Sequence, residues 1–344
     1  MNWNNNSKIL DSVLEAIGRT PLIRLNKISE GLNNPIAAKL EYVNPSGSLK
    51  DRVAYNIVEQ AEQKGELKPG MILLEGTTGN TGIATAMVGA AKGYRVMIVM
   101  PQGMSEERKK TIQAYGAELV LTPGAETDVD LVLEEVQRIK DKYGDQVFEI
   151  GQFYREDNLN AHIDNTAPEI WEQTEGKADV FIMCQGTGGT VTGTAKYLKE
   201  KNPHIKVYIS EPQDSPILAH GRIGQHRVQG IADGLIPEIL DLQYIDGIVL
   251  VSSEDSIKMA QQIARKEGIF CGISSGCNVA AALKVARKYP EKKCIVTIIN
   301  DNGLRYLSTE LCGTESKRQL LEREYALSEE DQQKLAQYKF EIIE

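Results

Sequence analysis

The sequence predicts an α/β protein with two doubly wound parallel sheets, and two observations support this fold class. Short apolar runs next to glycine-rich turns alternate with longer stretches of helical periodicity along most of the 344 residues. Such alternation is typical of parallel sheets joined by right-handed helical crossovers. It occurs in two series, the second beginning near Asn160, so we expect two sheets. Ligands of such folds bind outside the carboxyl ends of the strands, here in the crevice between the sheets.

The first series opens with a predicted short helix over residues 9–17 and strands over 22–25 and 36–41. Lys50 then starts a helix that we expect to reach about residue 64, because apolar residues recur there every three or four positions. The elements that follow are strand 71–75, helix 82–92, strand 95–100, helix 106–115, strand 118–121, helix 129–143 and strand 146–150.

The second series contains helices of similar length and apolar runs short enough to be buried strands. We expect a loop-rich section between residues 210 and 253. The predicted elements are helix 162–173, strand 179–183, helix 190–201, strand 206–210, helix 253–267, helix 275–288 and strand 294–299. Beyond Cys312 the chain becomes charged, and helices are predicted over residues 315–324 and 328–338. We interpret residues 313–344 as a helical extension that packs on the body or on a neighbouring subunit.

Composition and charge exclude several classes of function. A net charge of −9 disfavours nucleic acid and anionic membrane surfaces as partners. The sequence has no apolar run of the roughly 18 residues that a membrane helix needs, and its polar start is not a signal peptide. Five cysteines without a Cys-x-x-Cys pair indicate neither a disulfide framework nor a zinc site. We therefore predict a cytoplasmic protein without a metal.

Lys50 follows a turn rich in proline, serine and glycine, at the point where a helix begins. A lysine amine forms a Schiff base with a carbonyl only in its neutral form. The positive end of a helix dipole disfavours the ammonium ion, and therefore favours this chemistry. Most lysines in such turns are solvated surface groups, so the interpretation depends on the loops that follow.

Three later loops each connect an apolar run to a helix. The loop Glu75-Gly76-Thr77-Thr78-Gly79-Asn80-Thr81-Gly82 offers hydroxyl, amide and backbone N–H donors to a carboxylate or phosphate. Gln185-Gly186-Thr187-Gly188-Gly189-Thr190 can curl around a phosphate, although it matches neither a Walker A motif nor a dinucleotide fingerprint. In Cys271-Gly272-Ile273-Ser274-Ser275-Gly276, a serine hydroxyl is suited to contact a ring nitrogen. Each loop alone is also an ordinary turn or helix cap.

A Schiff-base lysine, a phosphate-binding loop and a carboxylate-binding loop together specify pyridoxal 5′-phosphate acting on an α-amino acid. The chain resembles the cysteine synthase (O-acetylserine sulfhydrylase) and cystathionine β-synthase family, the fold-type II or tryptophan synthase β-like enzymes that use this cofactor. The resemblance covers about residues 8–312. It rests on residues 44–52, 77–82 and 186–190, and further on 152–153, 160–162, 229–231, 272–276 and 305–309.

The resemblance implies a role for each motif residue. Lys50 would hold the cofactor covalently and then act as the base that removes the substrate's α-proton. Asn80 would bind the 3′-oxygen of the cofactor, and Ser274 its ring nitrogen. The cofactor phosphate would bind to Gly186, Thr187, Gly188, Gly189 and Thr190. The substrate, through its carboxylate, would bind to Thr77, Thr78, Gly79, Thr81 and Gln152.

The resemblance also implies a domain organisation. A larger cofactor-binding domain would comprise residues 1–50 and 155–312, and a smaller mobile substrate domain residues 51–154. The smaller domain would close over the substrate and exclude water. Members of the family are usually homodimers, so we expect one here.

The sequence departs from the family pattern at Asp233. Cysteine synthases usually read Gly-Ile-Gly-Ala-Gly-Phe where this chain reads Gly-Ile-Ala-Asp-Gly-Leu over residues 230–235. Asp-Gly is a common turn pair, so Asp233 has an ordinary interpretation as a solvated turn residue. Our hypothesis is that Asp233 orients or deprotonates the incoming nucleophile, or binds a cationic one.

The resemblance predicts β-replacement through an aminoacrylate intermediate, first as a cysteine synthase that uses O-acetylserine and sulfide. Three alternatives remain open at this stage. One is an enzyme like cystathionine β-synthase or a cysteine lyase, which releases hydrogen sulfide from L-cysteine. Another is a diaminopropionate-type synthase with an amine nucleophile. The third is a non-catalytic scaffold, which the presence together of Lys50, Asn80 and Ser274 disfavours.

Overall fold

The computed structural model describes residues 9–125, 128–232, 234–313 and 326–344. Its strands are β1 Leu22–Arg24, β2 Ile36–Leu40, β3 Ile72–Gly76, β4 Arg95–Pro101, β5 Glu118–Thr122, β6 Val147–Glu149, β7 Val180–Cys184, β8 Lys206–Pro212, β9 Gly247–Val251, β10 Ile295–Ile299 and β11 Glu341–Ile343. Its helices are α1 Lys50–Gln63, α2 Asn80–Lys92, α3 Glu106–Ala114, α4 Val129–Tyr143, α5 Glu156–Ala161, α6 Ala167–Gln173, α7 Gly189–Lys201, α8 Ile217–His220, α9 Ser253–Glu267, α10 Ile273–Lys288 and α11 Glu329–Ala336.

Seven strands form the larger sheet in the order β1-β2-β10-β7-β8-β9-β11. All neighbours in it are parallel except β1, which pairs antiparallel with β2 at one edge. Alternate residues of β7 belong to different apolar clusters, Val180 and Ile182 to one and Phe181 and Met183 to the other. The sheet is therefore buried on both faces, as parallel sheets usually are.

Four strands form the smaller sheet in the order β5-β4-β3-β6, and every pair is parallel. Here too the side chains of one strand divide between two clusters, with Leu73 of β3 facing one way and Ile72 and Leu74 the other. Two sheets of mainly parallel strands with helical crossovers confirm the predicted α/β fold class. Among the described residues, no helix combines the length and apolarity that a membrane span requires.

The structure corrects several element predictions. Residues 9–17 form a single 3-10 turn, Val13–Ala16, which Ser12 caps and Gly18 (φ 85°) follows. The helix predicted over 162–173 starts with a π-helical segment, His162–Thr166, before α6. The section between 210 and 253 was predicted to be loop-rich, but it contains α8 and the fully buried strand β9.

The C-terminal segment differs most from its prediction. Residues 315–324 lie outside the described residues. Helix α11 matches most of the second predicted helix, but the chain then forms β11, which pairs parallel with β9. The Glu341 carboxylate accepts hydrogen bonds from Tyr289 (2.5 Å) and Tyr208 (3.2 Å), which fixes β11 to the sheet. The segment therefore extends the larger sheet by one strand.

Candidate active site

One cavity lies at the carboxyl ends of β7 and β10, beside the first turns of four helices. Helices α1, α2, α7 and α10 begin at Lys50, Asn80, Gly189 and Ile273. The positive ends of helix dipoles favour an anionic ligand at such a place. The lining residues are Leu49, Lys50, Asn80, Met183, Cys184, Gly186, Thr187, Gly188, Thr190, Val191, Gly230, Ile231, Ser274 and Asn300.

Lys50 is the first residue of α1, and its side chain is half-buried in this cavity. Its Nζ lies 3.2 Å from Gln152 Oε1 and 3.4 Å from Thr187 Oγ1. The turn before it is closed by Asp51, whose carboxylate accepts the Ser46 backbone N–H at 2.6 Å. The amine that the sequence singled out therefore contacts the predicted phosphate loop at Thr187 and the predicted substrate-binding residue Gln152.

The predicted phosphate loop, residues 186–190, curls at the start of α7. Gly188 adopts φ 80°, a left-handed conformation that glycine takes without strain. A Cβ on Gly189 would lie 2.1 Å from Asn158 Oδ1, so any other residue there would displace the Asn158 side chain. Asn158 donates to Thr187 Oγ1 at 3.1 Å and to the Gln152 carbonyl at 2.8 Å. The loop is therefore held open by an asparagine that the sequence analysis did not identify.

His162 supports Thr190 from the other side of this loop. Its Nε2 lies 3.1 Å from Thr190 Oγ1 and its Nδ1 2.9 Å from Thr166 Oγ1. Burial, helped by the nearby Arg52 guanidinium, lowers the pKa of His162 to about 3. The imidazole is therefore neutral at physiological pH, and it orients the threonine hydroxyl without adding charge to the cavity.

Ser274 lies in the first turn of α10, and its hydroxyl is oriented by Asn300. Asn300 Nδ2 donates to Ser274 Oγ at 3.0 Å, and the Asn300 backbone N–H donates to Ser275 Oγ at 2.9 Å. Because Ser274 Oγ accepts from the amide, its own proton is left for an acceptor in the cavity. A ring nitrogen with a lone pair is such an acceptor.

The predicted substrate loop, residues 77–81, lies next to Gln152. Thr81 Oγ1 donates to Gln152 Oε1 at 2.5 Å, and Thr77 Oγ1 accepts the Gly79 N–H at 3.0 Å. Glu75, at the end of β3, accepts the backbone N–H of Gly151 at 3.0 Å. Burial, reinforced by Glu149, raises the pKa of Glu75 well above its ordinary value. The loop is thus tied to the residues that carry Gln152.

The predicted site residues fall into two groups. Lys50, Asn80, Ser274 and most of the phosphate loop line one cavity. Gln152 lines a neighbouring cavity together with Gly76 and Tyr154, and its side chain reaches Lys50 from there. Gly189, Thr77, Thr78, Gly79 and Thr81 line neither of these cavities. Asp233, the departure from the family pattern, lies outside the described residues.

The donors around the cavity fit pyridoxal 5′-phosphate. The glycine loop at the start of α7 presents backbone N–H groups and two threonine hydroxyls where a phosphate can bind. The Lys50 amine, the Asn80 amide and the Ser274 hydroxyl line the same space, as an aldehyde, a phenolic oxygen and a ring nitrogen require.

The chain is similar to known pyridoxal-phosphate-dependent enzymes. Residues 13–301 match the family described as "Pyridoxal-phosphate dependent enzyme". A cysteine synthase of Staphylococcus aureus is 42% identical over 305 residues, which are 88% of this chain and 97% of the relative. The crystal structure of a cysteine synthase from Entamoeba histolytica superposes with a TM-score of 0.85 at 43% identity, over 91% of this chain and 94% of the other.

A third similarity is to a hydrogen sulfide-producing enzyme from Fusobacterium nucleatum. It has a TM-score of 0.84 and 40% identity, over 87% of this chain and 100% of the other. Fold and cavity together define a fold-type II enzyme that uses pyridoxal 5′-phosphate. The chain belongs to the pyridoxal-phosphate-dependent enzyme family, in the part of it that contains the cysteine synthases.

Proposed function

We propose that this chain catalyses β-replacement on an amino acid, converting O-acetylserine and sulfide to L-cysteine and acetate. The observation that carries the proposal is the Lys50 amine, which shares one cavity with a phosphate-binding glycine loop, the Asn80 amide and the Ser274 hydroxyl. The similarity to cysteine synthases over 88% of the chain supports the choice of substrates.

In this proposal Lys50 has two roles. It holds the cofactor, and after release by the substrate its amine takes the proton from the substrate's α-carbon. The cofactor, when bound, withdraws electrons from that carbon, so that the proton and the β-substituent can leave. Gln152 Oε1 and Thr187 Oγ1, at 3.2 and 3.4 Å, keep the amine within the cavity during both steps.

Cofactor and substrate are held by separate sets of donors. Residues 186–190 bind the phosphate, Asn80 binds the 3′-oxygen, and Ser274 donates to the ring nitrogen. A neutral hydroxyl, unlike a carboxylate, does not hold that nitrogen protonated, which favours β-elimination. The substrate carboxylate binds to Thr77, Thr78, Gly79, Thr81 and Gln152. The hydrogen bond from Thr81 to Gln152 joins the loop of residues 77–81 to Gln152.

A second candidate is release of hydrogen sulfide from L-cysteine. It is favoured by the 40% identity to the hydrogen sulfide-producing enzyme of Fusobacterium nucleatum. It is also favoured by Asp233, which adds a carboxylate to a loop that in this family faces the incoming nucleophile. In this version Asp233 activates water or another nucleophile in the second half of the reaction.

Product analysis separates the two candidates. The purified protein loaded with cofactor is incubated with O-acetylserine, with or without sulfide, and with L-cysteine alone; acetate, cysteine and sulfide are then measured. We expect cysteine to form only when O-acetylserine and sulfide are both present. If the protein released sulfide from cysteine faster than it formed cysteine from O-acetylserine and sulfide, this would contradict the first candidate and support the second. The Lys50→Ala variant is the control, and neither reaction should occur with it.

The proposal includes the assembly and location that the sequence predicted. A homodimer is tested by sedimentation of the loaded protein, in which a monomeric mass would contradict it. Limited proteolysis near residue 154, with and without substrate, tests the division into two domains. The larger domain comprises residues 1–50 with 155–312, and the smaller one residues 51–154. Location in the cytoplasm follows from the composition argument and is tested by cell fractionation.

A further inference from the structure

Three buried polar side chains after β10 have no role in the proposed reaction. Asp301 and Tyr306 are fully buried, and Arg305 is 6% exposed. Burying a charged group is costly unless it is paired and hydrogen-bonded. The partners of these three side chains therefore indicate what the segment does.

The first partner is the Asn80 side chain, which is held at both ends. Its Nδ2 donates to Asp301 Oδ2 at 2.7 Å, and its Oδ1 accepts from Arg305 Nη1 at 2.6 Å. A carboxylate only accepts hydrogen bonds and a guanidinium only donates them. The amide therefore has one orientation, with one N–H bonded to Asp301 and the second N–H left for the cavity that Asn80 lines.

The second partner is the turn that precedes Lys50. Arg305 Nη2 donates to the Ser46 carbonyl as well as holding Asn80. The backbone of the same segment pairs with this turn, from Leu49 N to Asn300 O at 3.0 Å and from Asn302 N to Gly47 O at 3.1 Å. One arginine thus ties together the Asn80 side chain and the loop that carries Lys50.

Tyr306 and Arg108 support Asp301 from behind. The Tyr306 hydroxyl donates to Asp301 Oδ2 at 2.7 Å and accepts from Arg108 Nη2 at 2.8 Å. The Arg108 guanidinium also lies 4.8 Å from the centre of the Tyr306 ring. Arg108 belongs to α3, beside the smaller sheet, whereas Asp301 and Tyr306 follow β10 of the larger one. The chain of bonds therefore connects the two parts of the molecule at Asn80.

Gly272 packs closely against Asp301 and Tyr306. A Cβ on Gly272 would lie 2.1 Å from Asp301 Oδ1 and 2.6 Å from the Tyr306 ring. Within the described residues, Asp301 Oδ1 is buried without a hydrogen-bond partner. The carboxylate is thus placed by sterics and by its Oδ2 bonds, and Oδ2 is the oxygen that Asn80 uses.

We propose that Asp301 and Arg305 are positioning residues. They hold the Asn80 amide with its second N–H toward the cofactor and at a fixed position relative to Lys50. This inference rests on the proposed function, in which Asn80 binds the cofactor 3′-oxygen. If the Asn80 amide were rotated by 180°, its oxygen would face the anionic 3′-oxygen, and cofactor binding would be weaker.

The test is a double-mutant cycle read out by cofactor binding. The cofactor-free protein is titrated with pyridoxal 5′-phosphate, and the dissociation constant and the absorption maximum of the bound cofactor are measured. The single variants are Asn80→Ala, Asp301→Asn and Tyr306→Phe, and Asn80→Ala is also combined with each of the other two. Ser308→Ala is the matched control, because Ser308 bonds Glu107 of α3 at 2.8 Å without touching Asn80.

We expect Asn80→Ala and Asp301→Asn each to raise the dissociation constant about tenfold or more, which is the range for a hydrogen bond to a charged group. Both should shift the absorption maximum, and Tyr306→Phe should produce a smaller change in the same direction. In the Asn80→Ala background, Asp301→Asn should add almost nothing, because its effect acts through Asn80. Ser308→Ala should leave both readouts unchanged.

Two outcomes would overturn the inference, and they can be told apart. If Asn80→Ala leaves both readouts unchanged, the proposed role of Asn80 is wrong and the inference is wrong with it. If Asn80→Ala has its expected effect but Asp301→Asn adds its full effect in that background, the inference alone fails. If Asp301→Asn does not fold, the effect of Tyr306→Phe is measured instead in the unaltered protein and in Asn80→Ala. This substitution removes only one hydroxyl, and its results are interpreted in the same way.

Discussion

At Gly189 the backbone passes so close to Asn158 that a side chain there would displace the asparagine. Asn158 uses its amide to hold both Thr187 and the backbone of Gln152. These two residues in turn contact the Lys50 amine. A single asparagine therefore links the phosphate loop and Gln152, the two places that the lysine amine contacts.

Replacing Gly189 with alanine should expel Asn158, because the new methyl would lie 2.1 Å from its Oδ1. We expect the dissociation constant of pyridoxal 5′-phosphate to rise at least about tenfold, which is the range found when a residue that orients a metal ligand is lost. The measurement is a titration of the cofactor-free protein. Lys196→Ala, on an exposed position of the same helix, is the control. Unchanged affinity in Gly189→Ala would contradict this role of Asn158.

Sequence reasoning selected residues in contiguous motifs, such as Lys50 and Ser274, and the structure places these two beside one cavity. It did not identify the residues that orient them, because these lie far away along the chain. Asn300 is 26 positions from Ser274, and Asp301 is 221 positions from Asn80. The rule that ligands bind at the carboxyl ends of strands would have been a usable signal for residues 300 and 301, since they directly follow the apolar run of β10.

Helix α1 is fixed at its first turn by a buried ion-pair cluster. Arg52 donates to both oxygens of Glu41 at 2.8 Å, and to both oxygens of Glu169 at 2.7 and 2.8 Å. Lys39 donates to Glu169 at 2.6 Å. Because Arg52 is two residues after Lys50, this cluster anchors the start of the helix that carries the amine to β2 and α6.

The cluster makes stability depend on pH. Burial acts to raise the pKa of Glu41, but the charge and hydrogen bonds of Arg52 outweigh it and lower the pKa to about 2 from 4.5. A carboxyl whose pKa is depressed by folding contributes stability that is complete above the unfolded pKa and is lost as pH falls toward the folded value. The contribution of Glu41 is therefore lost between about pH 4.5 and pH 2.

We expect Glu41→Gln to lower the free energy of unfolding at pH 7 by about 3 kcal/mol, because it leaves Arg52 buried with less compensating charge. Its stability should also fall less steeply than that of the unaltered protein below pH 4.5. Urea unfolding at several pH values measures both effects. Glu254→Gln, an exposed partner of Lys258 on α9, is the control. If the free energy of unfolding depended on pH in the same way in Glu41→Gln and in the unaltered protein, Glu41 would not be the source of this pH dependence.

At the scale of elements, periodicity predicted the long helices and the central strands well. It failed where a segment is too short to show a period. The apolar run Ile248-Val249-Leu250-Val251 of β9 was a usable signal, because it has the length and composition of a buried parallel strand. The turn at Val13–Ala16 had no such signal, because four residues complete little more than one turn.

At the scale of the whole molecule, the cavity lies where the two sheets meet, and the C-terminal segment closes the far edge of the larger sheet. Strand β11 was not predicted, because its three residues form a strand only through pairing with β9. Leu335, Tyr338 and Phe340 pack against the apolar cluster on one face of that sheet. Tertiary contacts, rather than local preference, determine the structure here.

We expect Glu341→Ala to release β11, because it removes the acceptor for Tyr289, Tyr208 and Lys288. Hydrogen exchange of the β9 amides that face β11 should then become faster, while exchange in the central strand β7 should not change. Glu344→Ala, which removes an exposed carboxylate from the same segment, is the control. Unaltered exchange in β9 after Glu341→Ala would show that β11 is held by its other contacts.

The central claim is that Lys50 holds the cofactor at the junction of the two sheets, and covalent labelling tests it most directly. The protein loaded with pyridoxal 5′-phosphate is reduced with borohydride, which makes the link to the lysine permanent, and the labelled peptide is identified by mass spectrometry. We predict that the label lies on Lys50 and is absent from Lys50→Ala. A label on another lysine, or no label in the unaltered protein, would contradict the account.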